Sequence, residues 1–213
     1  MSRDLTRRHL LRGSLGFAAA TALAGWAPAR AASLVLTPRQ TEGPFYPVSL
    51  PLDADNDLVR VEGRAARAQG TVAHVVGRVR DAAGRPVPGA RVEIWQCDAR
   101  GVYLHPAERR PRDANFQGYG RTLTDAAGAY RFRTIRPVPY PGRTPHVHFK
   151  VATPGGATLT TQMYVAGEPL NARDFLYAHI RDPAQRAAVT VALEPAPRIE
   201  SGALLGTFDI VLG

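Results

Sequence analysis

From Ser33 onward, apolar and polar positions alternate in short runs cut by Gly, Pro and Asp, a period-2 pattern that belongs to strands rather than helices. Thr71 to Arg80 (TVAHVVGRVR) alternates over a β-branched run, and Ala90 to Trp95 (ARVEIW) resumes after the dense turn chemistry of Asp81 to Gly89 (DAAGRPVPG). A hairpin is expected from these two runs. A second pair is expected from Arg121 to Thr124 and Ala129 to Thr134, around the turn Asp125-Ala126-Ala127-Gly128. Pro145 to Ala152, Thr158 to Val165, Ala188 to Leu193 and Leu204 to Leu212 supply four more strands. One short helix is expected where Asp182, as N-cap, precedes Pro183 at the first helical position and the run AQRAAV. The fold class is therefore all-β: an antiparallel β-sandwich with at most short helices. Residues 97–120 and 135–145 break the alternation, are rich in Tyr, Arg and Pro, and read as long active-site loops on a rigid frame.

Length and composition fit that picture. The chain has 213 residues, 45% hydrophobic and 21% charged, with 20 Gly and 18 Pro, which is enough apolar material for one large β-domain and excludes collagen, coiled coil and disorder. The N-terminus adds a separate element. Residues 1–31 run from a basic stretch (MSRDLTRRHLLR) through a weakly apolar one (GSLGFAAATALAG) to a small-residue end, Ala29-Arg30-Ala31, which is the order of an export signal. Thr6-Arg7-Arg8-His9-Leu10-Leu11 resembles the twin-arginine motif that directs folded proteins out of the cytoplasm. The expected organisation is a leader over residues 1–31 and a mature domain over 32–213, periplasmic or extracellular, with no stable membrane association once the leader is removed. The formal charge of +9 loses five positive charges (Arg3, Arg7, Arg8, Arg12, Arg30) and one negative (Asp4) with the leader, leaving +5. The remaining arginines are dispersed and accompany no recognised motif, so nucleic-acid binding is not expected. The single cysteine, Cys97, has no partner and reads as a small buried hydrophobe in place of a redox centre.

With no cysteine cluster, a metal would have to be held by His, Tyr or carboxylate. His146-Val147-His148 lies in a strand, so both imidazoles point to one face and Val147 to the other. Taken alone, such a pair is more often hydrogen-bonded than metal-binding. Tyr140, six residues earlier in Pro137-Val138-Pro139-Tyr140-Pro141, changes the picture because the flanking prolines fix the backbone that presents its phenol.

Four stretches carry a resemblance: Thr41-Glu42-Gly43-Pro44-Phe45-Tyr46-Pro47; Val92-Glu93-Ile94-Trp95-Gln96 running on to Gly101-Val102-Tyr103; Asn115-Phe116-Gln117-Gly118-Tyr119-Gly120-Arg121; and Pro139-Tyr140-Pro141-Gly142-Arg143 ending in His146-Val147-His148-Phe149. In this order, over most of residues 41–168, the chain resembles the intradiol ring-cleavage dioxygenases. The resemblance implies one non-haem Fe(3+) bound by Tyr103, Tyr140, His146 and His148. It implies a catechol-type substrate split by O2 between its two hydroxyl-bearing carbons, with a cis,cis-muconate-type diacid as product. Arg143 and Gln162 match residues that the family uses around the substrate, and Tyr103 would serve as both ligand and base. The charges agree: two phenolates, two neutral imidazoles and a hydroxide offset the 3+ of ferric iron, and hard oxygen anions favour that oxidation state. Two departures stand out. Relatives commonly carry Trp after the Tyr-Pro pair and a longer loop before the histidines, whereas this chain has Gly142, which predicts a more open pocket. The leader also ends shortly before Thr41, so the helical dimerisation domain of the catechol and hydroxyquinol branches is not expected, although other oligomers remain compatible.

Other classes compete. Val79 to Val92 also resembles the strand-turn-strand of transthyretin-like or carboxypeptidase-regulatory modules, which bind without catalysis; such modules have no reason to hold two tyrosines beside His-x-His. A zinc hydrolase would use two histidines and a solvent position, but tyrosine is an uncommon zinc ligand. Arg109, Arg110 and Arg112 read as a solvated charge run that is also placed to attract a carboxylated aromatic.

Overall fold

The computed structural model describes residues 34–51 and 53–213. The leader lies outside the described residues. Among the described residues ten strands form: β1 (Val72–Arg80), β2 (Arg91–Trp95), β3 (Tyr119–Leu123), β4 (Ala129–Ile135), β5 (His146–Ala152), β6 (Thr158–Val165), β7 (Thr190–Val191), β8 (Glu194–Pro195), β9 (Leu204–Thr207) and β10 (Ile210–Val211). Between β6 and β7 lie a 3-10 turn (Pro169–Arg173) and two short helices, α1 (Phe175–Ala178) and α2 (Pro183–Ala188). The Asp182 side chain accepts from the Ala184 N–H and Pro183 opens α2, as its sequence requires. No described helix is long and apolar enough to cross a membrane.

The strands make two sheets. In one, β1 pairs with β4 along one edge and with β9 and then β10 along the other, and β8 extends β9. The second runs β3-β2-β5-β6-β7. Both are mixed, which corrects the purely antiparallel expectation: β1 runs parallel to β9 and β10, and β6 runs parallel to β7. Each of these partners arrives after a long excursion of the chain, and that is what a parallel pairing demands.

Neither expected hairpin forms. β1 has both edges filled by other strands, so β2 has no place beside it and enters the other sheet. The turn closes only a single bridge, Arg80 to Pro86. Thr124 then draws the chain across, its hydroxyl donating to Val87 O (2.7 Å) and accepting from Ala90 N–H (2.8 Å). β3 and β4 are likewise split between the sheets by the Asp125–Gly128 turn. The stretch 188–193 keeps only two strand residues, and 204–212 is interrupted at Phe208-Asp209, where Phe208 turns into the core.

The core lies between the sheets and is built by alternation. Val147, Phe149 and Val151 of β5 point inward against Val92 and Ile94 of β2, Met163 of β6, and Phe132 and Val75 of the facing sheet. The opposite face of β5 carries His146 and His148, and these are buried too, because the long loops cover that side. Cross-strand register sets a row there: Tyr119, Trp95, His148 and Gln162 stand side by side on four adjacent strands.

Candidate metal centre

Three segments converge over this row. The first is the 97–118 loop. Its frame is buried Asp98, whose Oδ1 accepts from the Arg100 and Val102 N–H groups and whose Oδ2 accepts from Asp113 N–H at 2.7 Å. Tyr103 follows immediately and is buried. Of the charged run, Arg110 donates to Glu108 and to Gly101 O at 2.8 Å, bracing this loop, while Arg109 and Arg112 are exposed. The second segment is Tyr140-Pro141-Gly142-Arg143, a turn closed by Arg143 N–H to Tyr140 O at 2.9 Å. Gly142 has φ 84°, so Pro and Gly occupy the two central positions that a type II turn prefers. The third is Thr41–Pro47, which brings Phe45 flat against the Tyr103 ring at 4.6 Å between centroids.

All six residues singled out from the sequence come together here. The Tyr103 hydroxyl lies 3.4 Å from His146 Nε2, which lies 3.2 Å from His148 Nε2. The Tyr140 ring stands 5.5 Å from Tyr103 and 5.6 Å from His146, centroid to centroid. Arg143 points one amino group at the Tyr140 hydroxyl (3.5 Å) and another at Gln162 Oε1 (2.5 Å).

Proton bookkeeping shows what the donors suit. His146 Nδ1 meets Thr144 O at 2.6 Å, so it carries the proton and leaves Nε2 as a bare lone pair. Burial, reinforced by the Arg143 charge, pushes His146 down to about 4. Burial, then His146 and Arg143, push His148 well below its usual range. Both rings are neutral at pH 7. If His148 donates through Nε2 to His146, its buried Nδ1 has no partner. Burial also pushes both phenols above 10, that of Tyr103 well above, so neither ionises unaided. The Tyr103 oxygen and the Nε2 atoms of His146 and His148 thus meet as neutral electron-pair donors with the Tyr140 phenol beside them, a set that suits a cation. The 3.4 and 3.2 Å steps from the Tyr103 oxygen to His146 Nε2 and on to His148 Nε2 match donor spacings within one transition-metal coordination sphere. No three His, Cys, Asp or Glu side chains gather at a point among the described residues, and the further protein donors beside the two histidines are the phenols.

Sequence reasoning missed the supports. Trp95 stacks on His148 at 4.8 Å and 7°, fixing that ring. Asp174 is wholly buried and accepts from Arg143 Nε at 2.7 Å. Burial opposes its ionisation, but hydrogen bonds from Thr144, Tyr177 and Arg143 outweigh that and hold its carboxyl below the ordinary value. Its one sequence signal was that Asp caps helices, and it does cap α1.

Comparison with known proteins gives concordant matches. A family model described as Dioxygenase matches residues 41–213. The protocatechuate 3,4-dioxygenase beta chain of Burkholderia cepacia is 39% identical over 170 residues, 74% of this chain and 71% of that one. The hydroxyquinol 1,2-dioxygenase of Corynebacterium glutamicum is 36% identical over 146 residues, 60% of this chain and 45% of that one, so the match spans under half of that enzyme's length. Among solved structures, the dioxygenase domain of a dioxygenase carbohydrate-binding protein fusion from Streptomyces sp. SirexAA-E superposes with a TM-score of 0.63 at 34% identity, covering 84% of this chain and 98% of that one.

Proposed function

Because the chain belongs to the intradiol ring-cleavage dioxygenase family, we propose that it is an exported Fe(3+) enzyme that cleaves a catechol-type aromatic between its hydroxyls, both atoms of O2 entering a cis,cis-muconate-type diacid. The observation that carries the iron is the convergence of donors: His146 Nε2 lies 3.4 Å from the Tyr103 hydroxyl and 3.2 Å from His148 Nε2, with the Tyr140 ring beside them. Ferric iron held by these four would draw both catechol oxygens in as anions and leave the ring electron-rich enough to react with O2. The remaining work belongs to the chain. Tyr103, held as a tyrosinate if iron is bound, would take a substrate proton at that oxygen and so act as base, and its burial, which favours the neutral phenol, would drive the transfer. Arg143 is the fixed cation beside the place where negative charge builds on the ring and incoming oxygen. Gln162 spends its Oε1 on Arg143 and on the Tyr164 hydroxyl (3.2 Å), and so orients the guanidinium. Phe45 and Trp95 keep water from the donors. The twin-arginine-like order of the leader supports export in the folded state.

Purified mature protein is expected to be reddish-brown, with one iron per chain and tyrosinate-to-iron absorption. It should convert catechol to the muconate without added ferrous iron or reductant. His148→Ala should lose both iron and colour. A colourless or zinc-bearing protein would sink the assignment, and so would a ring opened outside the diol. Export is checked separately: Arg7→Lys with Arg8→Lys should trap the protein in the cytoplasm, and unchanged fractionation would remove the twin-arginine route.

A further inference from the structure

Arg143 is a cation on a short turn, and a flexible guanidinium would be a poor electrostatic partner for a transition state. Its aim has to be set by something. Asp174 Oδ2 accepts from Arg143 Nε at 2.7 Å and also from Thr144 N–H at 2.9 Å, while Oδ1 accepts from Tyr177 N–H at 3.0 Å. The Asp174 side chain is 0% exposed and that of Arg143 10%. A grip on Nε leaves both terminal amino groups of the guanidinium free, and these are the groups that reach Tyr140 and Gln162. The same carboxylate pins the Thr144 peptide, whose carbonyl receives His146 Nδ1, and the Thr144 hydroxyl donates to Asn171 Oδ1 at 2.7 Å.

From this arrangement, and resting on the ring-cleavage function proposed above, we propose that Asp174 is the positioning residue of the site. It fixes the direction of the Arg143 guanidinium and couples it to the histidine strand, although it touches neither substrate nor metal itself. Its location follows from the fold. Asp174 ends the 3-10 turn and caps α1, so the segment after β6, otherwise peripheral, reaches back to orient a side chain before β5.

Asp174→Asn separates this role from a merely structural one. Asn is itself a good N-cap and its Oδ1 still accepts from Tyr177 N–H, while the amide nitrogen that replaces Oδ2 removes the charge and the acceptor that hold Arg143 Nε, together with the Thr144 N–H bond. The expected result in iron-loaded protein is retained iron and a kcat about 10²-fold lower, on the scale of a lost charge stabiliser, with KM changed much less. The tyrosinate absorption should shift as it does in Arg143→Ala, since both variants displace the guanidinium from Tyr140. In an Arg143→Ala background the Asn substitution should cost little further kcat, because its effect runs through Arg143. An unchanged kcat, or an equal loss with and without Arg143, would overturn the proposal. Asp174→Ser, which keeps the cap and drops the grip, repeats the measurement if the Asn variant does not fold; failure of both to fold would make Asp174 structural and defeat the proposal. If the wild type does not cleave catechols, the functional reading falls instead, and a crystal structure of the Asn variant still decides whether the guanidinium has moved.

Discussion

The guanidinium of Arg143 depends on the residue before it. Gly142 holds φ 84°, where an L side chain is strained, and a Cβ built there meets nothing within 4 Å. Space and backbone therefore give opposite messages: there is room for a side chain, but the turn that aims Arg143 excludes one. Gly142→Ala is expected to cost about 1 kcal/mol in unfolding free energy and to lower kcat by loosening Arg143. Filling the gap with a large indole at this position would test strain and pocket size together, so the openness is better tested with substrates. With no side chain at Gly142, bulky alkyl- and aryl-catechols should fall within about 10- to 200-fold of catechol in kcat/KM, the range over which pocket fit discriminates. A preference for catechol far beyond that would mean other residues close the site. Arg143→Ala itself should keep its iron and lose about 10² in rate. Loss of iron would make Arg143 structural.

At the scale of strands, a close approach decides where the sheet edge breaks. Gly77 lies in the middle of β1, and a Cβ there would stand 1.9 Å from Phe208 O, backbone that cannot swing aside. The Tyr130 hydroxyl donates to that same carbonyl. Gly77→Ala should therefore destabilise the domain by about 3 kcal/mol, read as a fall in the denaturant midpoint, or prevent folding. A loss below 1 kcal/mol would show that β10 can shift. Such packing is invisible in a sequence, and the same limit explains the misplaced hairpins. The runs 71–80 and 90–95 are strands as their alternation says, but their partners are set by which edges of β1 are already filled, a property of the assembled sheet. Local signals fared better. The His146/His148 pair shares a face because the strand period is 2, and α2 starts where Asp-Pro places it. Asp174 was hidden because its partners lie about 30 positions upstream in chain order, at Arg143 and Thr144.

Across the whole molecule, distant parts of the described chain are tied by charge on the side away from the proposed metal centre. Arg133 of β4 donates to both carboxylate oxygens of Glu200 (2.7 and 2.6 Å) and to Asp57 (3.0 Å), while His74 Nε2 lies 3.2 Å from Glu200 and Arg67 3.8 Å. Glu200 belongs to the C-terminal turn before β9 and Asp57 to the loop before β1, so the cluster joins three distant parts of the chain. The hydrogen bond from Arg133 holds the Glu200 carboxyl at about 2, down from 4.5. A carboxyl depressed on folding contributes stability that is whole above its unfolded value and lost as pH falls towards its folded one. Its share is therefore complete at pH 7, declines below about 4.5, and is gone near 2. Glu200→Gln should lower stability at pH 7 by about 1 to 2 kcal/mol, since the pair is partly exposed and screened, and should flatten the fall in melting temperature between pH 4.5 and 2. Because the cluster lies in the sheet opposite the donors, iron content and tyrosinate absorption should stay as in the wild type. An unaltered acid profile in the variant would show that other carboxylates govern acid unfolding. A loss of colour would show that the two sheets are coupled more tightly than their separate hydrogen-bond networks imply.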